Sequence, residues 1–285
     1  MGSFTEDSII TIFEKLTDEG IIIYGPHEVV KKDYNGFPIE FRICPSLTRK
    51  PHTVGAALDP TYQKARKWGP GSDMYVPDER LVLARLGNTH DLALNLFCVD
   101  KPQLILLTVD SYRRQHEPLD REDFAAALTT MDSLPNMYII YNCSEKAGCS
   151  RVHKHMQGLR GPPEAFEAYV EGSNGQTTVP ILYFSWHFVD GFGKTAAGDL
   201  EHNYRKLLDQ AKSATDCLEG EICPHNVVLW KDWMIVIPRR NAFVEKASAN
   251  AAGMLGSVWV PDQSLVDEWI RIGPLNVFKG LGIPR

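Results

Sequence analysis

Apolar residues at positions 9, 12, 13 and 16 recur at helical spacing up to Gly20, so Ile9, Ile12, Phe13 and Leu16 form the inward stripe of a first helix. Ser3 and Glu6, three residues apart at its start, fit a capping box. PIEFRICPSL (38–47) is extended, TRKPHTVGA is a basic loop carrying Arg49, Lys50 and His52, and residues 60–80 are irregular. The apolar runs DLALNLFCV (91–99) and QLILLTV (103–109), separated by Asp100-Lys101-Pro102, predict a hairpin. PLDREDFAAALTTMDSL (118–134) puts Phe124, Leu128 and Met131 on one helical face, and MYIIYN (137–142) is the strand that follows. After a Gly- and Ser-rich loop at 171–179 come a strand PILYFSWHFV (180–189) and a polar helix near 199–216. The hairpin NVVLW (226–230) and WMIVIP (233–238) turns at Lys231-Asp232. Strands paired as hairpins with helices between them predict an α+β fold, an antiparallel sheet with flanking helices, rather than a doubly wound parallel sheet.

With 285 residues, 44% of them hydrophobic and 23% charged, the chain can enclose a substantial core. A net charge of −6 argues against nucleic acid as a partner, because neutralising phosphates along a duplex needs a basic face. No apolar run reaches the length of a bilayer span, and neither Gly2 with Glu6 after it nor the terminal GIPR fits a lipidation signal. A cytoplasmic protein away from membranes is therefore expected. Six cysteines (44, 98, 143, 149, 217 and 223) are too sparse for a disulfide scaffold and too widely spaced for CxxC, so they are expected to be free thiols. Asn142-Cys143-Ser144 matches a glycosylation sequon by coincidence.

The candidate chemistry lies in AGCSRVHKHMQGL (147–159). On a strand, His153, His155 and Gln157 project from one face while Val152, Lys154 and Met156 project from the other. Small residues precede them whose backbone N–H groups can cradle phosphate oxygens, with Lys146 and Arg151 adding charge. Three readings follow from spacing alone. The histidines can act on phosphorus, one of them as a neutral nucleophile; they can bind zinc with Cys149 or Cys143; or they can belong to an ordinary strand. Gln157 and the cradle favour the first, since neither helps a zinc ion.

At these residues the sequence resembles the diadenosine tetraphosphate (Ap4A) phosphorylases, or ATP adenylyltransferases, the His-x-His-x-Gln branch of the histidine-triad (HIT) superfamily. NCSEKAGCSRVHKHMQ is similar to the family's Asn-[Ser/Cys]-Gly-x-x-x-Gly-Ala-Ser-Gln-x-His-Lys-His-Leu-Gln. ICPSLTRKP, HDLALNLF, NVVLWKDWMIVIPR, ANAAGMLGSVWV and IGPLNVFKGLGIP resemble further family segments in the same order, from about residue 38 onward. The resemblance implies one HIT-like catalytic unit over residues 1–285. Residues 1–170 would carry the histidines, and 171–285 would form a C-terminal, ATP adenylyltransferase-like part.

The implied reaction is ping-pong. His155 would take AMP from the dinucleotide with release of ATP, and phosphate would discharge it as ADP. His153 would orient His155, and Gln157 would hold a non-bridging oxygen. Gly148, Cys149, Ser150 and Arg151 would lie at the phosphates, Asn95 and Asn142 would line the nucleotide site, and Lys50 would neutralise polyphosphate. No tightly bound cofactor or metal is implied; a divalent cation such as Mg2+ would accompany the nucleotide. The protein would be a monomer or homodimer.

Against the family pattern Arg49, Leu96, Ser144, Cys149 and Arg151 stand where lysine, lysine, glycine, alanine and glutamine are usual. These changes leave open another nucleotide or acceptor, in specialised metabolism for example, or a nucleotide-binding protein with little turnover. Outside the motif, His90 is expected to satisfy a local backbone group, and His187 suits either a core position or the site. Trp230, Trp233 and Trp259 are expected in the core.

Overall fold

The computed structural model describes residues 4–49, 66–171, 178–215, 217–218 and 220–285. Ser3, Lys50, His52 and most of the 171–179 loop lie outside them. Helix α1 (Glu6–Asp18) leads to the hairpin of β1 (Glu28–Tyr34) and β2 (Phe37–Ile43). A two-residue pair, β3 (Arg66–Lys67) and β4 (Tyr75–Val76), precedes β5 (Val82–Leu86), β6 (His90–Leu94) and β7 (Leu104–Thr108). Then come α2 (Arg121–Ser133), β8 (Met137–Cys143), β9 (His155–Arg160), α3 (Phe166–Glu171), β10 (Phe184–His187) and α4 (Ala197–Ala214). Strands β11 (His225–Trp230) and β12 (Trp233–Pro238) form the next hairpin. The short β13 (Phe243–Val244) and β14 (Ala247–Ser248), α5 (Ala251–Met254), β15 (Ser257–Val260), α6 (Gln263–Ile272) and α7 (Pro274–Leu281) close the chain.

Eight strands form an antiparallel sheet in the order β10-β12-β11-β8-β9-β7-β6-β5, and with the helices they make the α+β fold that the hairpin pattern predicts. Both faces of this sheet are covered, which explains why MYIIYN and WMIVIP are continuously apolar rather than alternating. Ile139, Tyr141, Leu229, Met234 and Val236 pack with α1, α2 and α4. Their alternate neighbours Tyr138, Ile140, Val228, Ile235 and Ile237 pack with α3, α6, α7 and the small sheet β1-β2-β15.

Several boundaries differ from the sequence reading for local reasons. The box capping α1 is Thr5 with Ser8, not Ser3 with Glu6: Ser8 N–H donates to Thr5 Oγ1 (3.3 Å) and Thr5 N–H to Ser8 Oγ (3.0 Å). Strand β6 stops at Leu94, because Asn95 begins a turn in which its Oδ1 accepts from Phe97 N–H (3.3 Å). Only Phe184–His187 of the 180–189 run pairs as strand. His187 is exposed and stacks on half-buried Trp233, with ring centroids 4.4 Å apart, so it is neither a core histidine nor near the pocket described below. Trp230 is buried, whereas Trp259 is only partly so. Lys231 and Asp232 both take positive φ (+43° and +67°), the twist that a two-residue hairpin turn requires.

His225, wholly enclosed at the start of β11, donates from Nδ1 to Cys223 O (2.7 Å) and accepts at Nε2 from the Tyr204 hydroxyl (2.8 Å). Burial pushes its imidazole from 6.5 down to about 4. Between those values the unfolded chain binds the extra proton. The contribution of His225 to stability is therefore complete above pH 6.5 and disappears as pH falls towards 4, by about 3 kcal/mol. Urea unfolding at pH 7 and pH 5 should show about 2 kcal/mol of this loss, and His225→Asn should flatten it; an equally steep pH dependence in the variant would refute the assignment.

Candidate active site

Strand β9 lies between β7 and β8, with His155 opposite Leu107 and Gln157 opposite Ile105 across β7. Two residues apart on one strand, His155 and Gln157 reach the same pocket, which Asn95, Ser150 and Arg151 also line. Trp68, Tyr75, Leu96 and Phe97 give it apolar and aromatic walls. Leu96 thus places a hydrocarbon where the family pattern has lysine, and the pocket's cation is Arg151. That guanidinium is buried, which lowers its pKa, and it donates to Ser150 O (2.6 Å).

His155 Nδ1 lies 2.8 Å from His153 O. A carbonyl only accepts, so Nδ1 carries a hydrogen and, in the neutral ring, Nε2 carries the lone pair, the tautomer an imidazole nucleophile requires. The orienting group is therefore the backbone carbonyl of His153 and not its ring. His153 itself precedes β9, in an isolated bridge with Arg114, and its ring is fully buried outside the pocket lining. Its Nε2–H donates to Thr108 O (3.0 Å), and Nδ1 accepts from the Ser72 hydroxyl (2.8 Å). Asp73 fixes the same turn, its carboxylate accepting from Val152 N–H (2.9 Å) and His153 N–H (3.2 Å). Burial lowers the His153 pKa and keeps the ring neutral. With both nitrogens engaged, this ring does not fit the zinc reading, and the described residues hold no cluster of three or more metal-type side chains.

Gln157 is aimed by a residue the sequence did not flag. Gln103 Nε2 donates to Gln157 Oε1 (2.8 Å), while Gln103 Oε1 accepts from Val99 N–H (3.0 Å). The Gln157 amide nitrogen is thereby left as the donor, the polarity a phosphoryl oxygen needs. Neither Gln103, Ser72 nor Asp73 stands in a recognisable pattern with the motif, so only the three-dimensional pairing reveals them.

The small-residue loop borders the pocket through Ser150 alone; Gly148, Cys149 and Ser150 also line an adjoining cleft with Lys246, Asn250 and Trp259. Gly148 has φ +88°, and a Cβ there would meet Ala249 O at 2.7 Å and Asn250 Cα at 2.8 Å, so only glycine fits. Burial pushes the Cys149 thiol up to about 12, which keeps it protonated at neutral pH. Lys146 is exposed on the rim of a different cleft with Ser144 and Arg240.

Asn142 does not line the pocket, contrary to its expected place in the nucleotide site. Its Oδ1 accepts from Asn226 Nδ2 (2.9 Å) and Ala251 N–H (2.8 Å), and so ties β8 and β11 to α5. Behind them Arg239, also buried, donates from Nη1 to Asn226 Oδ1 (2.7 Å), Ala249 O (2.9 Å) and Ala147 O (3.2 Å), and from Nε to Leu281 O (3.3 Å). Its hydrogen bonds among the described residues go to carbonyl and amide oxygens, and burial pulls its pKa down to about 9. This guanidinium joins the small-residue loop to the C-terminal segments.

Ser144 opens that loop at φ +75°, ψ 172°, a region almost reserved for glycine, and its buried hydroxyl has no hydrogen-bond partner among the described residues. Both features are costs. Ser144→Gly should stabilise the protein by about 1–2 kcal/mol and raise the melting midpoint by roughly 2–6 °C. A lower midpoint in a thermal scan would sink this account of the loop.

Comparison with known proteins agrees with this architecture over nearly the whole chain. Residues 23–168 match the Ap4A phosphorylase N-terminal domain and residues 178–284 the ATP adenylyltransferase C-terminal domain. Among curated relatives, diadenosine 5',5'''-P1,P4-tetraphosphate phosphorylase 2 of Saccharomyces cerevisiae is 22% identical over 234 residues, covering 67% of this chain and 69% of that protein. Protein APA1 of the same yeast is 23% identical over 223 residues, covering 64% and 66%. The crystal structure of yeast Ap4A phosphorylase Apa2 in complex with Ap4A superposes with a TM-score of 0.75 at 20% identity, covering 100% of this chain and 99% of that one. The complex of Apa2 with AMP gives a TM-score of 0.75 at 21% identity.

Proposed function

Because this chain belongs to the Ap4A phosphorylase family, we propose that it is a nucleotidyltransferase that cleaves Ap4A with phosphate to give ATP and ADP. The observation that carries the reading is the pairing of His155 Nδ1–H with His153 O, which in the neutral ring puts the lone pair on Nε2 of a residue lining the same pocket as Gln157. In the first half-reaction Nε2 attacks an α-phosphorus of Ap4A. A P–N bond forms, the P–O bond to the remaining nucleotide breaks, and ATP departs. In the second, an oxygen of inorganic phosphate attacks the adenylyl-histidine, the P–N bond breaks, and ADP leaves with neutral His155 restored.

Gln157 Nε2 and the Arg151 cation stabilise charge on the transferring phosphoryl group. Ser150, Gly148 and Cys149 shape the phosphate path, Asn95 contacts the nucleoside, and Lys50 meets the outer phosphates. Asn142 serves through the backbone it ties together rather than by touching substrate. His153 likewise positions and does not react. No resident cofactor enters the reaction, and a divalent cation travels with the polyphosphate. We place this enzyme in the cytoplasm as a monomer or homodimer; among the described residues no helix is long and apolar enough to cross a membrane. One observation favours a second acceptor: the Arg151 guanidinium occupies the pocket wall where the family pattern has a neutral glutamine.

The test is intact mass spectrometry of the protein incubated with Ap4A but no phosphate. An acid-labile AMP adduct should appear, and phosphate should discharge it as ADP. An adduct that phosphate leaves untouched would transfer the reading to another acceptor; no adduct despite nucleotide binding would overturn it.

A further inference from the structure

Strands β8 and β9 pair from Met137 opposite Arg160 to Ile140 opposite Gln157. Continuing that register would bring Asn142 opposite His155, yet the ladder stops before it. A side chain from a distant loop occupies the vacant rung. Gln115 Nε2 donates to Asn142 O (3.0 Å) and to His155 O (3.0 Å), and Gln115 Oε1 accepts from His155 N–H (2.8 Å). An amide side chain thus exchanges with His155 both of the hydrogen bonds that an opposing strand residue would supply.

The backbone around Gln115 extends the substitution. Gln115 N–H donates to Val152 O (2.8 Å), Lys154 N–H donates to Arg113 O (3.1 Å), and Arg114 bridges His153. Residues 113–115 therefore replace β8 as the neighbour of residues 152–154, and the Gln115 side chain covers the changeover at residue 155. Gln115 is buried, and its carbonyl is fixed in turn by the Tyr141 hydroxyl (2.8 Å) and Ser144 N–H (3.0 Å).

We infer that Gln115 is a positioning residue for the nucleophile, a surrogate strand rung that fixes the His155 backbone so that its ring meets the phosphorus in line. The inference rests on His155 being the adenylylated residue. The ring hangs from a backbone whose N–H and C=O are both held by one amide, and its Nδ1 is held by the His153 carbonyl two residues earlier. Loosening the first anchor shifts the ring relative to the second. A displacement of about 1 Å at a reacting atom costs on the order of 100-fold in rate.

The experiment is single-turnover AMP transfer from Ap4A to the full chain, in wild type, Gln115→Met and Gln115→Glu, as a function of pH. Both variants should react roughly 10- to 100-fold more slowly with little change in the Ap4A concentration giving half the maximal rate. In Gln115→Glu the ionised carboxyl accepts but cannot donate to the two carbonyls; once protonated it regains one donor. Its optimum should therefore move to lower pH than the wild type's, a change that mere loosening of the fold would not produce.

Unchanged single-turnover rates in folded variants, or a fall with no displaced optimum in Gln115→Glu, would overturn the inference. If neither variant folds, amide hydrogen exchange on the wild type decides: His155 N–H should be as protected as the β9 amides that follow it, and rapid exchange there would refute the rung. Absence of an AMP adduct in the wild type would instead count against the phosphorylase reading.

Discussion

Replacing His155 with alanine should leave a folded protein that forms no AMP adduct and whose phosphorolysis of Ap4A falls by at least about 10,000-fold, the scale on which loss of a covalent nucleophile is felt. Folding should survive because the backbone groups of residue 155 are held by Gln115 and do not depend on the imidazole. Circular dichroism and a thermal scan check the fold, and intact mass with nucleotide chromatography reads the chemistry. The proposed mechanism would be wrong if this variant still acquired AMP, or if its kcat stayed within tenfold of wild type.

Replacing Lys154 with methionine should lower stability by about 3–5 kcal/mol, because it strips the cation from a buried carboxylate. Lys154, between the two motif histidines, is 1% exposed and points away from the pocket. Its Nζ donates to Asp123 Oδ2 (2.6 Å) and Pro118 O (2.8 Å), with Asp120 3.8 Å away. Asp123 Oδ1 accepts from His90 Nε2–H (3.0 Å), so His90 serves a carboxylate on α2 rather than a backbone group. The melting midpoint should drop by roughly 10 °C. Removing both charges, as Lys154→Met with Asp123→Asn, should recover much of that loss, since the amide keeps an acceptor for His90 Nε2–H and leaves no uncompensated charge. A single variant costing under 1 kcal/mol, or a double variant worse than the single, would contradict this account of the pair.

Lys154 also marks where sequence reading runs out. The period-two pattern correctly turns it away from the pocket, but a polar residue on an outward-reading face gives no hint that α2 covers it. The β11–β12 hairpin and α2 were legible because their signals are local: a two-residue turn between apolar runs, and an aspartate, Asp120, at the helix start. The β1–β2 hairpin carried an equally local signal in Asn35-Gly36, both at positive φ. It went unread because β1 is largely exposed and charged and shows no apolar alternation.

The site divides in the same way. His155 and Gln157 were legible from alternation, whereas Gln103 and Gln115 reach them, and Ser72 and Asp73 reach His153, across tens of residues by side-chain hydrogen bonds that follow no spacing rule. Asn142 was misplaced for a related reason. Its backbone belongs to a strand beside the motif, while its side chain is spent on joining Asn226 and α5.

Arg239 gives the loop beside the pocket an unusual dependence on the order of synthesis. Residues 147–150 emerge well before Ala249 and Leu281, yet one guanidinium holds Ala147, Ala249 and Leu281 together. A nascent chain can therefore carry its histidines in full while the shape of the loop beside them is still unset. The fastening of that loop is complete only once α7, the last helix of the chain, is in place.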